Sequence, residues 1–243
     1  MLSKANVKYI KSLQVKKYRK QEQCFVTEGA KSVLELLTSD FDLVMVLGTA
    51  EFLATLQPLP KTEIFEVTEK ELSGLGEFQT NNSALAIAKM KPNRPFQVSA
   101  QEFALVLDDI RDPGNLGTII RTADWYGIHK IVASTETADF YSSKVITATM
   151  GSFTRVNIFY TALDHYLASV DQKIYGAYLE GKNIHETRFE SGAHLVIGNE
   201  SRGIHPELEK FITHKITIPR FGKAESLNAA IATAIICDNL RRR

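Results

Sequence analysis

Polar side chains that could do chemistry are concentrated in three short loops of the C-terminal part of the chain. Each loop follows an apolar run of strand length, at residues 104–107, 194–197 and 215–218. Among the polar residues in or just after these loops, we single out Asn115, Arg121, Glu200, Ser226 and Asn228. Amide, carboxylate, hydroxyl and guanidinium groups can donate and accept the hydrogen bonds that hold a polar ligand. The pattern indicates a site at the carboxyl ends of parallel strands, where such sheets bind their ligands.

Each of these residues also has an ordinary structural explanation when it is taken alone. An Arg on an amphipathic helix usually faces solvent, and a glycine-rich turn often carries an exposed Glu. Asn115 and Ser226 are residue types favoured at helix N-caps, so we expect them to cap the helices that follow, and Gly127 to end the first of these helices. Asn228 would then lie inside the first turn of the last helix, where Asn is unfavourable.

Apolar runs of strand length recur through the C-terminal part and alternate with stretches of helical periodicity. The runs are 104–107, 130–133, 155–159, 173–178, 194–197 and 215–218. Near-continuous apolar strands are typical of sheets that are buried on both faces. The alternation therefore predicts an α/β fold with a mostly parallel sheet and helices on both sides of it.

The N-terminal part reads as a separate, small α/β domain. Its predicted elements are an amphipathic basic helix at 7–20, a helix at 30–37, and strands at 24–27, 43–47, 64–67 and 84–88. Pro92 and Pro95 then interrupt any regular element. We expect a substrate-binding domain at 1–90, a linker at 91–103 and a second domain at 104–243.

The overall composition is that of an ordinary globular protein. The chain has 243 residues, 44% of them apolar, and a formal net charge of +1. Near-neutrality argues against a protein that grips nucleic acid with its whole surface. No run is long and apolar enough to span a bilayer or direct export, so we expect a cytoplasmic protein without membrane contact. Cys24 and Cys237 are then expected to be buried thiols.

Positive charge is concentrated at the two ends of the chain. Residues 1–23 hold seven Lys and Arg against Glu22 alone, and residues 241–243 are all Arg. A solvated helix face and a frayed tail are the commoner explanations of such runs. Contact with phosphate is a hypothesis that these charges alone do not decide.

Three strings resemble, in order and spacing, the motifs of the SpoU (TrmH) family of RNA ribose methyltransferases, which belongs to the SPOUT superfamily. They are NLGTIIRTADWYG, VIGNESRGI and IPRFGKAESLNAAIATAI, and the resemblance spans residues 105–237. The upstream string SLQVKKYRKQEQCFVTEGAKSVLEL is similar to the small ribosomal-protein-like substrate-binding domain that many members carry.

The resemblance implies a fold, a cofactor and a set of site residues. The fold is an α/β sheet whose C-terminal part forms a trefoil knot, and members are usually homodimers packed through the knotted region. The cofactor is S-adenosylmethionine, and no metal is expected. The cofactor-binding positions would be Gly198, Ile218, Leu227 and Asn228. The implied catalytic residue is Arg121, and the residues that orient it, the cofactor and the loops are Asn115, Glu200, Ser226 and Asn228.

The implied reaction is methyl transfer from S-adenosylmethionine to a ribose 2′-hydroxyl, which is a poor nucleophile at neutral pH. Arg121 is a doubtful general base because arginine side chains are not deprotonated in proteins. We interpret it as a group that binds the adjacent phosphate and stabilises the developing alkoxide, and the group that removes the proton stays open. The extra N-terminal domain favours ribosomal RNA over transfer RNA. The implied RNA contacts are Lys16, Lys17, Arg19, Lys20 and Arg121.

Four alternatives stay open at this level. The substrate could be transfer RNA, the methyl group could go to a base, or the chain could be a non-catalytic RNA-binding module on the same fold. Residues 176–182 also match a phosphate-binding P-loop until Asn183 replaces the required Ser or Thr. The glycines of that string begin within a predicted strand, which argues against a P-loop.

Overall fold

A computed structural model describes residues 2–77 and 81–242, so Arg243 of the basic C-terminal run lies outside the described residues. The chain forms two compact units. One contains the residues up to Pro92 together with Asp139–Thr154, and the other contains Asn93–Ala138 together with the residues from Arg155 onward. This division differs from the expected one, because the segment 139–154 leaves the second unit and joins the first.

An aromatic cluster explains why the segment 139–154 belongs to the first unit. Phe25 packs against Tyr141 and Phe153, with ring centroids 4.9 and 5.9 Å apart. Phe41 lies 5.9 Å from Phe153 in the same cluster. Residues 93–103, expected to be a linker, instead belong to the second unit, where Phe96 packs on Phe159 at 6.2 Å.

The first unit is an α/β domain built on a four-stranded sheet. The elements in chain order are α1 (Lys4–Ser12), α2 (Lys16–Glu22), β1 (Cys24–Glu28), α3 (Ala30–Leu37), β2 (Leu43–Gly48), α4 (Ala50–Leu53), β3 (Glu63–Glu66), α5 (Glu69–Leu75) and β4 (Ala84–Lys89). The strand order is β1-β4-β2-β3. Strand β4 runs antiparallel to both β1 and β2, whereas β2 and β3 are parallel.

The basic N-terminal segment forms two helices rather than the single helix expected at 7–20. Helix α1 ends at Ser12 and α2 begins at Lys16. The Arg19 guanidinium takes the carbonyls that a continuous helix would use, since its Nη1 donates to the carbonyls of Leu13 at 3.0 Å and Gln14 at 2.7 Å. Arg19 thereby fixes the break between the two helices.

The prediction that Arg19 contacts RNA is contradicted by its burial. Arg19 is only 4% exposed, and its Nη2 forms an ion pair with Asp139 at 2.7 Å. A buried charge is tolerated when it is paired and hydrogen-bonded, as this one is. The lysines around it, Lys16, Lys17 and Lys20, are exposed and available to a partner.

The second unit is built on a six-stranded sheet in which every pair of strands is parallel. The remaining elements in chain order are β5 (Ala104–Leu107), α6 (Pro113–Trp125), β6 (Lys130–Ala133), α7 (Ser143–Ala148, in the first unit), β7 (Asn157–Tyr160), α8 (Leu163–Ala168), β8 (Ile174–Asn183), β9 (His194–Ile197), β10 (His214–Thr217) and α9 (Ala229–Arg241). The strand order is β10-β8-β9-β5-β6-β7. The predicted α/β class with a mostly parallel sheet is confirmed. The P-loop reading is wrong, because residues 176–182 lie inside strand β8.

Two further features bear on the class of protein. Cys24 and Cys237 are both buried free thiols, as predicted. Within residues 2–77 and 81–242, no helix is both long enough and apolar enough to cross a bilayer.

Substitution of Arg19 tests its structural role. Arg19→Ala should lower the free energy of unfolding by about 3 kcal/mol, because it leaves the largely buried Asp139 carboxylate without its partner. Lys16→Ala removes an exposed charge from the same helix and should change stability by less than about 0.5 kcal/mol. Urea denaturation of both full-length variants at pH 7 measures the difference. Unchanged stability in Arg19→Ala would contradict the structural role.

Candidate functional site

Three side chains, one from each of the three polar loops, contact each other at the carboxyl edge of the six-stranded sheet. Asn115 follows β5, Glu200 follows β9, and Asn228 lies at the end of the segment that follows β10. The Asn115 Nδ2 donates to Glu200 Oε1 at 2.5 Å, and the Asn228 Nδ2 donates to Asn115 Oδ1 at 2.9 Å. The predicted convergence of these three residues is therefore present as a chain of hydrogen bonds.

Asn115 can bridge its two neighbours because it does not cap the helix that carries it. Helix α6 begins at Pro113, and its N-cap is Asp112, whose Oδ1 accepts from the Asn115 backbone N–H at 2.8 Å. The prediction that Asn115 is the N-cap is wrong, since the Asp112-Pro113 pair starts the helix earlier. Proline suits the first helical position because its missing N–H would be unpaired there in any case.

Asn228, not Ser226, caps the last helix. The Asn228 Oδ1 accepts from the backbone N–H groups of Ala230 at 2.9 Å and Ile231 at 3.3 Å. This corrects the prediction for Ser226 and explains an Asn that looked misplaced inside a helical turn, because Asn is among the best N-cap residues. Using both ends of its amide, Asn228 couples the start of α9 to Asn115.

The loop after β9 is closed tightly by its own backbone. Asn199 and Gly203 exchange two backbone hydrogen bonds, at 3.0 and 2.9 Å. A Cβ added to Gly198 would lie 2.2 Å from the carbonyl carbon of Gly203, so only glycine fits there. Gly203 itself has φ 71°, a conformation that favours glycine. The loop that carries Glu200 is thus held in one narrow conformation.

Two further polar contacts position this loop and were not anticipated from the sequence. The Asn199 Nδ2 donates to the carbonyl of Asp109 at 2.9 Å, which ties the second loop to the first. Asp108, only 3% exposed, accepts from the His205 backbone N–H at 2.7 Å and lies 2.9 Å from its Nδ1. Two sequence features could have indicated these contacts: an Asn directly before Glu200 and an Asp directly after a buried strand.

The third loop presents unpaired backbone to solvent. Among the described residues, the backbone groups of 219–227 make no backbone–backbone hydrogen bond, and the Ala224 carbonyl accepts only from the Arg220 side chain. Phe221 and Leu227 are 97% and 46% exposed, and Ile218 is half-buried. Free N–H and C=O groups beside apolar side chains suit a ligand that carries both an aromatic ring and polar edges.

Arg121 and Ser226 are not part of the hydrogen-bonded chain. Arg121 lies six residues after Asn115 on α6, about 9 Å further along the helix axis. Its side chain is exposed and has no hydrogen-bond or ion-pair partner among the described residues. Ser226 is likewise exposed in the third loop. The site therefore combines a fixed polar chain with an unpaired cation on the same helix as Asn115.

Two family models match this sequence. The SpoU rRNA Methylase family matches residues 102–238, and the MRM3-like substrate binding domain matches residues 4–86. The first match covers more than half of the chain and includes all of the polar residues of the three loops.

Several named proteins resemble the whole chain. The 23S rRNA (guanosine(2553)-2′-O)-methyltransferase RlmP of Bacillus subtilis is 30% identical over 239 residues, which cover 97% of this chain and 95% of that protein. A TrmH-family protein from Porphyromonas gingivalis superimposes with a TM-score of 0.90 at 37% identity, covering 100% of this chain and 99% of that one. The AdoMet-bound rRNA methyltransferase from Sinorhizobium meliloti does so with a TM-score of 0.90 at 30% identity, covering 100% and 97%.

The bridging role of Asn115 predicts a pH-dependent defect when it becomes an acid. Asn115→Asp places a second carboxylate against Glu200, and two adjacent carboxylates repel each other when both are charged. The variant should therefore be less stable than the wild type by about 2 kcal/mol at pH 8 and by less at pH 5, because the repulsion grows as pH rises. Asn115→Ala loses the same bonds without adding charge. Equal pH dependence of the two variants in urea unfolding would contradict the bridge.

Proposed function

Because the chain belongs to the SpoU rRNA Methylase family, we propose that it transfers a methyl group from S-adenosylmethionine to a ribose 2′-hydroxyl of large-subunit ribosomal RNA. The observation that carries this proposal is the chain of hydrogen bonds through Glu200, Asn115 and Asn228. The full-length likeness to a named 23S rRNA 2′-O-methyltransferase supports the choice of substrate and of the 2′-oxygen. With ribosomal RNA as its substrate, the protein would act in the cytoplasm.

The residues of the second and third loops fit S-adenosylmethionine. Gly198 brings backbone close to the edge of the sheet, and the unpaired backbone of 219–227 offers donors and acceptors to an adenine ring and an amino-acid moiety. Ile218 and Leu227 would supply apolar contact, and Asn228 would fix the end of the loop against α6. The cofactor, when bound, supplies an electrophilic methyl group on its sulfonium.

Arg121 is the residue that we assign to the reacting hydroxyl. Arginine side chains are not deprotonated in proteins, so an arginine is a poor general base. An unpaired cation can instead hold the phosphate beside the target ribose and stabilise negative charge as the 2′-oxygen loses its proton. Glu200 and Asn115 would hold the start of α6, and with it Arg121, in register with the cofactor loops.

The lysines of α2 are the proposed RNA contacts of the first unit. Lys16, Lys17 and Lys20 are exposed on one short helix, and Tyr18 beside them is 41% exposed. Contacts of this kind go to the phosphate backbone, so they add affinity that is independent of sequence and falls with salt. The target nucleotide would be selected by the shape and the unpaired bases of the RNA.

We also propose that two copies of the chain pair through α6 and α9. These helices pack on each other, and each exposes a large apolar side chain: Trp125 is 84% exposed and Ile231 is 51% exposed. Exposed apolar groups of this size mark surfaces that associate with a partner. Trp125 lies one turn beyond Arg121, so the interface would border the site.

The route of the C-terminal segment supports the knot implied by the family. Strand β10 lies at one end of the sheet, beside β8, yet Asn228 reaches Asn115 at the start of the helix that follows β5. The segment 218–228 must therefore pass the ends of β8 and β9, where the closed loop 198–203 lies. We propose that it is threaded there as a trefoil, a connection that most folds avoid.

Substitution of Arg121 tests the proposed reaction. Arg121→Ala should lower methyl transfer into deproteinised rRNA by at least about 100-fold, because it removes the charge that stabilises the transition state. Its affinity for S-adenosylmethionine should stay unchanged by calorimetry. Arg121→Lys keeps the charge without the planar fork and should recover only part of the rate.

Three results would count against this assignment. Loss of cofactor binding in Arg121→Ala would make Arg121 a cofactor ligand. No label transfer by the wild type would favour a binding-only role. Product RNA that stays sensitive to alkaline cleavage at the modified nucleotide would move the methyl group from the ribose to a base, since that cleavage needs a free 2′-hydroxyl.

Trp125 makes the proposed dimer measurable. It is the only tryptophan of the chain, so its fluorescence should shift to shorter wavelength as dilute protein is concentrated and the side chain is buried. Trp125→Glu should sediment as a monomer, because a charge in an apolar interface is strongly unfavourable. Leu179→Glu changes another highly exposed apolar residue, 74% exposed and outside these helices, and should leave the wild-type sedimentation intact. A wild-type protein that sediments as a monomer would refute the dimer.

A further inference from the structure

Asp109 is held in an unfavourable environment at the start of the first loop. Its φ is 59°, in the left-handed region that few residues other than glycine adopt readily, and it is only 1% exposed. Its carboxylate is therefore nearly removed from water. Among the described residues, Oδ2 has no hydrogen-bond partner, and Oδ1 pairs with Arg111 Nε at 2.6 Å. Backbone strain of this kind tends to persist at functional sites.

Arg111, unlike Asp109, is exposed to solvent. Its side chain is 60% exposed, and only its Nε is used by Asp109. Both Nη groups are without a partner among the described residues. Arginine is charged in proteins in any case, and the hydrogen bond from Nε to the buried carboxylate raises the pKa of Arg111 further. The Arg111 guanidinium is therefore exposed to solvent, and the buried Asp109 carboxylate fixes its orientation.

The loop around this pair is held by hydrogen bonds on both sides, and one of them comes from the candidate site. The Asp109 carbonyl accepts from Asn199, the neighbour of Glu200, and the Asp109 N–H donates to the Ser134 hydroxyl at 3.0 Å. Asp112, one residue after Arg111, caps the helix that carries Asn115 and Arg121. Arg111 thus lies four residues before Asn115, in the loop between β5 and α6.

We propose that Arg111 is a second phosphate-binding residue, which holds the RNA backbone next to the nucleotide that Arg121 engages. This inference rests on the proposed function, because RNA is the polyanion that would occupy the site. A guanidinium held through Nε presents its two Nη groups as a fork, the geometry that binds phosphate with two parallel hydrogen bonds. An arginine that served only to neutralise Asp109 would need neither its exposure nor its free Nη groups.

The test measures RNA binding, not turnover, so that it stands apart from the test of the reaction. The full-length wild type, Arg111→Gln and Arg111→Lys are titrated with deproteinised 23S rRNA transcribed in vitro, between 50 and 200 mM salt. Arg111→Gln should bind about tenfold more weakly, and the slope of log affinity against log salt should flatten by about 0.7–0.9, the effect of one lost phosphate contact. Arg111→Lys should keep the wild-type slope and recover part of the affinity.

Arg155→Gln is the matched control. Arg155 is a half-exposed arginine of the same unit that is also paired with an aspartate, Asp124, at 2.9 Å. This variant loses the same charge and should leave the slope unchanged. Affinity for S-adenosylmethionine is measured in parallel and should be the same in all four proteins.

Two outcomes would overturn the proposal. If Arg111→Gln keeps the wild-type slope, Arg111 makes no phosphate contact, whatever happens to affinity. If it loses affinity for S-adenosylmethionine and keeps its RNA slope, Arg111 binds the cofactor carboxylate instead. Absence of methyl transfer by the wild type would refute the proposed reaction without touching the salt dependence, so the two failures are distinguishable.

Discussion

The site depends on one side-chain amide that satisfies two partners at once. Asn115 donates to Glu200 and accepts from Asn228, and neither a carboxylate nor an aliphatic side chain could do both. The arrangement is possible because Asp112 takes over the capping of α6 and because Asn228 caps α9 with the other end of its own amide. Three segments that are distant in sequence are thereby held at one edge of the sheet before any ligand binds, which is the preorganisation that catalysis requires.

In both units a buried charged side chain fixes the position of a neighbouring part of the chain. Arg19 is enclosed, and its contacts with two carbonyls and Asp139 set the break between α1 and α2. Asp109 is enclosed, and it orients an arginine that stays in solvent. In each case one charged group gives up hydration and thereby fixes a neighbouring segment, and pairing keeps that loss tolerable.

The sheet of the second unit was predictable because strands that are buried on both faces have near-continuous apolar sequences. Strands β5, β6 and β9 have the limits that their apolar runs predict. The first residues of the helices were harder to predict from the sequence, because Asn, Asp and Ser are nearly equivalent as N-caps. Pro113 was the one local feature that favoured Asp112 as the cap of α6. The role of Arg19 could not be read from a run of basic residues, because its partner Asp139 is remote in sequence. The same holds for Asn115, whose partners are known only once the chain is folded.

The return of the segment 139–154 to the first unit has a consequence for synthesis on the ribosome. Phe25 and Phe41 complete their aromatic cluster only with Tyr141 and Phe153, which are translated on the order of a hundred residues later, so the cluster consists of non-local contacts that form slowly. The N-terminal strands would therefore emerge with an open apolar face that stays uncovered until the segment 139–154 has been synthesised. A fragment that ends at Pro92 would keep that face permanently uncovered, which makes the N-terminal unit a poor choice for expression by itself.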